Sequence, residues 1–459
     1  MRSLNIGIYL LLIDILFYAE VVNSDNSVYS ILRTKREIVS GNETISDNVE
    51  IDDVNVIYVC NDGKCTCINE TLNCNQGFQA YNNNVVLQHS NIKIGNENFT
   101  AKIVNFQFNK FTFLKKNEIL SGHESKVEEL YFYYNDIATI ENGTFDKFLS
   151  LKKLDFEYNS LKSINETILT KQLGSTLMEL DFSGNKIQNL STNTFKYCTK
   201  LTSLNFQRNK KINLVAKING INVTVFPEAL ENLKYLNLAS CNLKEFDENV
   251  FINLRSLQKL ILSNNLFTFV PKAIKMLPTL QHLDIKSSFI RSINDCDFCN
   301  LPNLQTLFLS DSFSLTYINE NAFGALNNHS TTLPPKLNEL SLHNCNISIL
   351  PEKLLDWKNI LLFDISTNPL SCNCSMAWLI NDINATSPLY ANGTLYKNKL
   401  VCHYPRALYG THLHKISGDF CSNGTFDVEE VVKKRDEIYY ACGDGYGRTG
   451  MSKNFLINN

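Results

Sequence analysis

Cysteines carry most of the chemistry available to this chain of 459 residues, which has 14 of them. Four fall close together as Cys60-x4-Cys65-x-Cys67-x6-Cys74, and four more stand as Cys372-x-Cys374, Cys402 and Cys421. Thiols at such spacings either close disulfides or hold zinc. Cys296 and Cys299 flank Phe298 and are near enough in sequence to bond to each other. Cys442 has no evident partner, and an odd thiol in an exported chain suggests an intermolecular bond, here a disulfide-linked dimer.

Beyond the thiols, little reads as reactive. Gly443-Asp-Gly445-Tyr-Gly447-Arg-Thr-Gly450 is glycine-rich, but no strand precedes it and no helix pattern follows, so it reads as a loose tail and not a phosphate loop. His412 and His414, with His403, form a weak metal signal near the end of the chain. No acid, base and nucleophile converge, so the expectation is a non-enzyme with no catalytic residue, no cofactor and no metal.

The formal net charge is −3 and apolar residues make up 44%. That balance lacks the basic surplus that marks nucleic-acid or anionic-membrane binding. Arg2 followed by the apolar run Leu4 to Ala19, with Val22 and Ser24 at the small-residue positions, predicts an export signal over 1–24. No later apolar run reaches membrane-spanning length. Sequons agree with export: Asn98, Asn142, Asn165, Asn189, Asn222, Asn328, Asn384 and Asn392 are the expected glycosylation sites. Asn373, between two cysteines, is the least suited to use. The expected location is secreted, extracellular or associated with the cell surface.

What must position these groups is a repeat. Leu257-x-x-Leu260-x-Leu262-x-x-Asn265-x-Phe267 recurs along the chain. Aligned on the first apolar position, eleven copies start at Ile103, Val127, Leu151, Leu177, Leu201, Leu233, Leu257, Leu280, Leu304, Leu337 and Ile360, with most steps near 24 residues. Two longer steps reflect insertions within 210–232 and 313–336. Leu260 and Leu262 are two apart and share one side of a short strand. Asn265 then turns the chain and can satisfy backbone groups of a neighbouring coil. One unit cannot bury its own leucines and must stack on copies of itself. The Asn position holds Asn135, Asn159, Asn185, Asn209, Asn265 and Asn368, with Cys241 and Cys345 as replacements and Phe111, Ser288 and Ser312 as departures. Phe195, Phe251 and Phe298 predict an aromatic row along the outer side. Cys198, Cys241 and Cys345 sit at core positions and read as free and buried.

The four-cysteine cluster, the repeats near 24 residues and the closing Asn368-Pro369-Leu370-Ser-Cys372-Asn-Cys374-x3-Trp378-Leu379 together resemble the extracellular leucine-rich repeat family. That family includes Slit, the Toll ectodomains, chaoptin and the acid-labile subunit. The resemblance covers residues 60–421. It implies an α/β repeat fold: a leucine-rich repeat solenoid, curved as a horseshoe, with a parallel β-sheet on the concave face and disulfide caps. It implies the pairs Cys60–Cys67, Cys65–Cys74, Cys372–Cys402 and Cys374–Cys421, with Trp378 packed over the last coil. The expected organisation is an export signal at 1–24, a flexible segment at 25–59, an N-terminal cap at 60–84, repeats at 85–370, a C-terminal cap at 371–421 and a flexible tail at 422–459. Within that tail, Val428–Arg435 could form a short helix.

The open face would then display a middle column of Gln107, Tyr131, Asp155, Asp181, Asn205, Asn237, Ile261, Asp284, Phe308, Ser341 and Asp364. Tyr131 and Tyr133 are rigid amphipathic anchors, and Ile261 and Phe308 are apolar where solvent is expected. Tyr131, Tyr133, Asp155, Asp181, Ile261, Asp284 and Phe308 are therefore the candidate partner-binding residues. Such a face suits a protein ligand or cell-surface protein better than a small molecule. The expected function is binding in recognition, adhesion or signalling, innate immunity among the possibilities. The alternative is the ectodomain of a transmembrane signalling or adhesion receptor whose span is missing from this chain.

Overall fold

The structure is a computed structural model and describes residues 57–60, 65–75, 92–95, 98–324, 335–357, 360–382, 400–421 and 424–441. The expected export signal, most of the 25–59 segment, Cys442, the Gly443–Gly450 run and the sequons at Asn328, Asn384 and Asn392 lie outside these residues.

Each repeat forms a strand of only three residues, because the L-x-x-L-x-L spacing alternates sides for only that long before the Asn turn. Lys153–Asp155 and Thr306–Phe308 are typical: the central leucine is buried and its neighbours are half-exposed. Strands of successive coils pair in parallel and in register, Leu154 beside Leu180 and Leu180 beside Leu204. Among the described residues the main sheet has 13 strands. Eleven come from the repeats. The first two, Thr66–Ile68 and Thr71–Asn73, form an antiparallel hairpin whose turn residues Asn69 and Glu70 both have positive φ. Thr71–Asn73 pairs with the first repeat strand, Leu72 beside Val104. The cap thus supplies the partner that the first strand of a stack otherwise lacks.

That pairing corrects the first repeat. Ile103 stands beside Glu129 and Asn105 beside Tyr131, so the copy starts at Ala101 and not at Ile103. Asn109 occupies the Asn position, and Phe111 is a core residue beyond it, not a departure. Asn109 is buried and its Nδ2 donates to the carbonyls of Cys74 (3.0 Å) and Phe106 (3.0 Å). Asn105, not Gln107, heads the middle column.

The buried asparagines stitch coil to coil. Asn159 Nδ2 donates to Phe132 O of the preceding coil (2.9 Å) and to Phe156 O of its own (3.1 Å), while Oδ1 accepts the Ile137 N–H (3.0 Å). Asn185 and Asn209 repeat the pattern. The two cysteine replacements each follow one of the two long coils. There the backbone turns on itself: Ile212 N–H donates to Asn209 O (3.1 Å) and Leu315 N–H to Ser312 O (2.9 Å). A side chain that only donates then suffices, and Cys241 Sγ donates to Phe206 O (3.2 Å) and Cys345 Sγ to Leu309 O (3.4 Å).

The longest aromatic row is inside the coils, not on the outer side. Phe106, Phe132, Phe156, Phe182 and Phe206 take the third apolar position of the first five repeats and stack at 5.5 to 5.9 Å between ring centroids. The expected outer phenylalanines are buried and pair locally, Phe226 on Phe251 and Phe298 on Phe323.

Both caps close as the resemblance implies. Cys60–Cys67, Cys65–Cys74, Cys372–Cys402 and Cys374–Cys421 are disulfides, as is Cys296–Cys299. Cys198, Cys241 and Cys345 are free and buried. Trp378 stacks on Trp357 at 4.8 Å and its Nε1 donates to Leu350 O (3.2 Å). Beyond the last cap the described residues include a helix. Val428–Ala441 is a 14-residue helix, capped by Asp427 Oδ1, which accepts the N–H of Glu429 at 2.8 Å. Val431 and Val432 pack on the core, and Arg435 donates to Ala407 O (3.3 Å).

The insertion at 210–232 is a hairpin, Val215–Ile218 against Ile221–Thr224, turning at Asn219-Gly220 with positive φ at both. Asn-Gly between apolar runs is a strong hairpin signal, and sequence reading missed it here.

Candidate functional site

Three columns of side chains stand on the open side of the main sheet. The middle one runs Asn105, Tyr131, Asp155, Asp181, Asn205, Asn237, Ile261, Asp284, Phe308, Ser341 and Asp364, adjacent in register from strand to strand. Several of its acids and amides are structural. Oδ1 of Asp155, Asp181, Asn205, Asn237, Asp284 and Asp364 each accepts the backbone N–H two residues on, at 2.7 to 3.1 Å. These groups cap N–H donors where the short strands end. Asp284 is buried, ion-paired to Lys286 at 3.3 Å, and is a poor contact residue despite its place in the column.

A fourth column is more informative. The residue before the Asn position has a left-handed backbone in all eleven repeats: Phe108, Tyr134, Tyr158, Gly184, Arg208, Ser240, Asn264, Ser287, Asp311, Asn344 and Thr367. That conformation swings the side chain to the rim of the open face. In the first repeats the rim is aromatic. Phe108 stacks on Tyr134 at 4.9 Å and Tyr134 on Tyr158 at 4.5 Å. Arg208 lies over the Tyr158 ring at 5.6 Å and reaches its hydroxyl. Tyr133 meets Phe108 and Tyr134 edge-on at 5.2 and 5.7 Å. Sequence reading named Tyr131 and Tyr133 but missed Phe108, Tyr134, Tyr158 and Arg208. Their signal was available as a column read one residue before each Asn.

Beside this row lies an acidic strip. Tyr131 donates to Glu129 Oε2 (2.6 Å) and stands under Lys153, whose Nζ is 5.3 Å from the ring and 3.3 Å from Glu179. Burial and the Glu129 bond raise the Tyr131 hydroxyl to about 12. Burial chiefly, with Asp181 and Glu157 nearby, raises the Asp155 carboxyl to about 7. Ring faces here cover one another, so the surface presents tyrosine edges and hydroxyls.

The far end of the face differs. Phe308 is half-buried, edge-on to His282 at 5.2 Å and capped by Lys286 at 5.2 Å. With Leu361, Leu362, Glu339 and Asp364 it lines a shallow hollow of ≈ 250 Å³. Burial, with Lys259 beside it, lowers His282 to about 4 and keeps the imidazole neutral at physiological pH. Ile261 is half-buried on the same face, two strands from Phe308. His412 and His414 lie 5.4 Å apart in the C-terminal cap. Among the described residues no three His, Cys, Asp or Glu side chains are arranged to hold a metal ion.

The sequons at Asn98, Asn142, Asn165, Asn189 and Asn222 are all exposed, and none belongs to the open-face columns. Asn373 is half-buried and caps a turn through the Ser375 N–H (3.1 Å). No helix among the described residues is long and apolar enough to cross a membrane.

Comparison with known proteins gives the same architecture. Residues 211–267 match the family described as leucine rich repeat, and residues 118–216 match the BspA type leucine rich repeat region. A chain of the mouse RP105/MD-1 complex is similar at 24% identity and TM-score 0.56, over 71% of this chain and 51% of that one. A chain of the TLR13–ssRNA13 complex is similar at 18% identity and TM-score 0.44, over 62% and 40%. This chain therefore spans about half the length of the first solved chain and less of the second. Coil register, asparagine stitching, terminal disulfides and the repeat-model matches within 118–267 agree: the chain has the leucine-rich repeat fold, a solenoid with disulfides at both ends.

Proposed function

We propose that the chain binds a protein partner outside the cell, on the open face of its first five repeats, in recognition, adhesion or signalling. The observation that carries this reading is the rim row Phe108, Tyr134, Tyr158 and Arg208 beside Tyr131 and Tyr133. Aromatic and arginine side chains held rigid lose little entropy on binding and dominate protein interfaces. Further support comes from the exposed sequons, which lie off this face, and from five disulfides among the described residues, which suit an oxidising compartment. RP105 is seen in complex with MD-1, which fits a protein partner for this fold. The same face would serve a secreted binder or a receptor ectodomain equally.

The test uses the full chain secreted from animal cells, tetramerised and applied to an array of cell-surface proteins. A hit is retested with Tyr131→Ala and Tyr134→Asn, the latter because Asn tolerates the left-handed backbone. Loss of about 30-fold in affinity is expected for such anchors. Leu149→Ala and Ile252→Ala, exposed away from the face, should leave binding unchanged. Equal loss in both pairs, or no loss in either, would sink the reading. Gels of the same material with and without reductant test the dimer expected through Cys442.

A further inference from the structure

We infer that Cys296–Cys299 is a thiol–disulfide exchange site, opened by a dithiol reductant without unfolding the protein. The inference does not rest on the proposed function. Unlike the other four disulfides, this bond closes no end of the solenoid. It bridges residues three apart in the middle of the repeats.

Nor does the turn need it. Cys296 has φ +58 and its N–H donates to Asn321 O of the next coil (3.1 Å); Gly143 has φ +70 and its N–H donates to Thr167 O (3.2 Å). Phe298 and Phe145 follow two residues later and are both fully buried. The same turn is therefore built around Gly143 with no cystine.

Chain entropy points the same way. Folding protects a disulfide by holding together thiols that the unfolded chain would separate, and the gain grows with the loop to roughly the 3/2 power. Cys374–Cys421 spans 47 residues and Cys296–Cys299 spans 3. On that account the long cap bond is the more strongly protected of the two.

Access sets the order of events. Cys296 is half-exposed and Cys299 is 5% exposed. A thiolate of the dithiol attacks Cys296 Sγ, the S–S bond breaks, and Cys299 leaves as a thiolate that takes a proton from water. The second thiol of the reductant attacks the mixed disulfide and releases Cys296. The dithiol ends as a disulfide, and the protein gains two electrons and two protons. The free thiols Cys198, Cys241 and Cys345 take no part, since burial raises each to about 12.

The experiment titrates the secreted full chain with dithiothreitol under native conditions, alkylates with iodoacetamide and maps peptides by mass spectrometry. Cys296 and Cys299 should become alkylated at a reductant concentration at least tenfold below that needed for Cys372, Cys374, Cys402 and Cys421, with circular dichroism unchanged. Co-reduction with the C-terminal cap, or free thiols at 296 and 299 in the protein as secreted, would overturn the inference. A thioredoxin whose resolving cysteine is replaced by Ser should be trapped as an adduct on Cys296. An adduct only on cap cysteines, or a Cys296→Ser/Cys299→Ser chain that fails to fold, would count equally against it.

Discussion

Gly184 makes room for the ring of Tyr158: a Cβ at position 184 would lie 2.7 Å from Tyr158 Cδ1. Gly184 holds φ +66, so any side chain there meets strain as well as a clash. Its absence of a side chain lets Tyr158 lie across the fourth coil and reach Arg208 of the fifth. Gly184→Ala should destabilise the chain by about 1–3 kcal/mol and break the rim row between Tyr158 and Arg208. Denaturant titration measures the first effect, and partner affinity lost beyond the stability change measures the second. An unchanged midpoint would mean the ring moves aside freely.

Asparagine and cysteine are not interchangeable along the stitched column. Asn185 Oδ1 accepts the buried Leu161 N–H at 3.0 Å, and a thiol there would leave that donor without its partner. Asn185→Cys should cost about 1–3 kcal/mol, the penalty of an unsatisfied buried donor. Cys241→Ser should cost under about 1.5 kcal/mol, because that position only donates and a hydroxyl donates as well. Thermal melts of the two variants side by side check the contrast. Equal losses would refute the account of why the cysteines follow the long coils.

The leucine template made the period, the caps and the asparagine column legible, because burial and backbone satisfaction leave few choices at those positions. It failed at the first coil for a physical reason. A shift of two residues, from Ala101 to Ile103, preserves strand alternation and swaps one run of apolar residues for another. Only the buried Asn109 distinguishes the registers. On the open face the template treats all x positions alike. It therefore ranked Asp284, which is buried, beside Tyr131, which is not, and overlooked the rim, whose side chains are placed by backbone conformation and not by polarity. The helix at Val428–Ala441 was half-visible as an acidic start and a basic middle. Its docking through Arg435 depends on cap residues distant in sequence.

Asp155 gives a pH dependence with a definite sign. Its carboxyl stands at about 7 in the fold, against an ordinary 3.8. Between those values the folded chain holds a proton that the unfolded chain releases, so stability from this group is greatest at low pH and falls as pH rises through that window. Asp181 and Glu157 face it with the same charge, and Lys153 partly offsets them. Asp155→Asn keeps the acceptor for the Glu157 N–H, 2.8 Å away, and removes the charge. Melting temperature should then fall less between pH 5 and pH 8 than in the parent chain. An equal fall in the two proteins would mean that the group titrates below this window.

Trp357, at the end of the tenth repeat, and Trp378, in the C-terminal cap, are the chain's two tryptophans, stacked 4.8 Å apart. Intrinsic tryptophan fluorescence therefore reports on the C-terminal end of the stack, while far-ultraviolet circular dichroism reports on the whole sheet. A solenoid's stability is a sum of neighbour contacts, so losing an end cap lets coils fray from that end before the middle melts. The Cys374–Cys421 bond ties the two ends of the C-terminal cap together across 47 residues and is worth about 4 kcal/mol by chain entropy. In the parent chain the two signals should change together on denaturant titration. In Cys374→Ser/Cys421→Ser the fluorescence transition should come first, at clearly lower denaturant, because the tryptophan pair loses its cover while the phenylalanine row of the first five coils still holds. Coincident transitions in both proteins would show instead that the stack melts as one unit and that the cap adds stability to every coil equally.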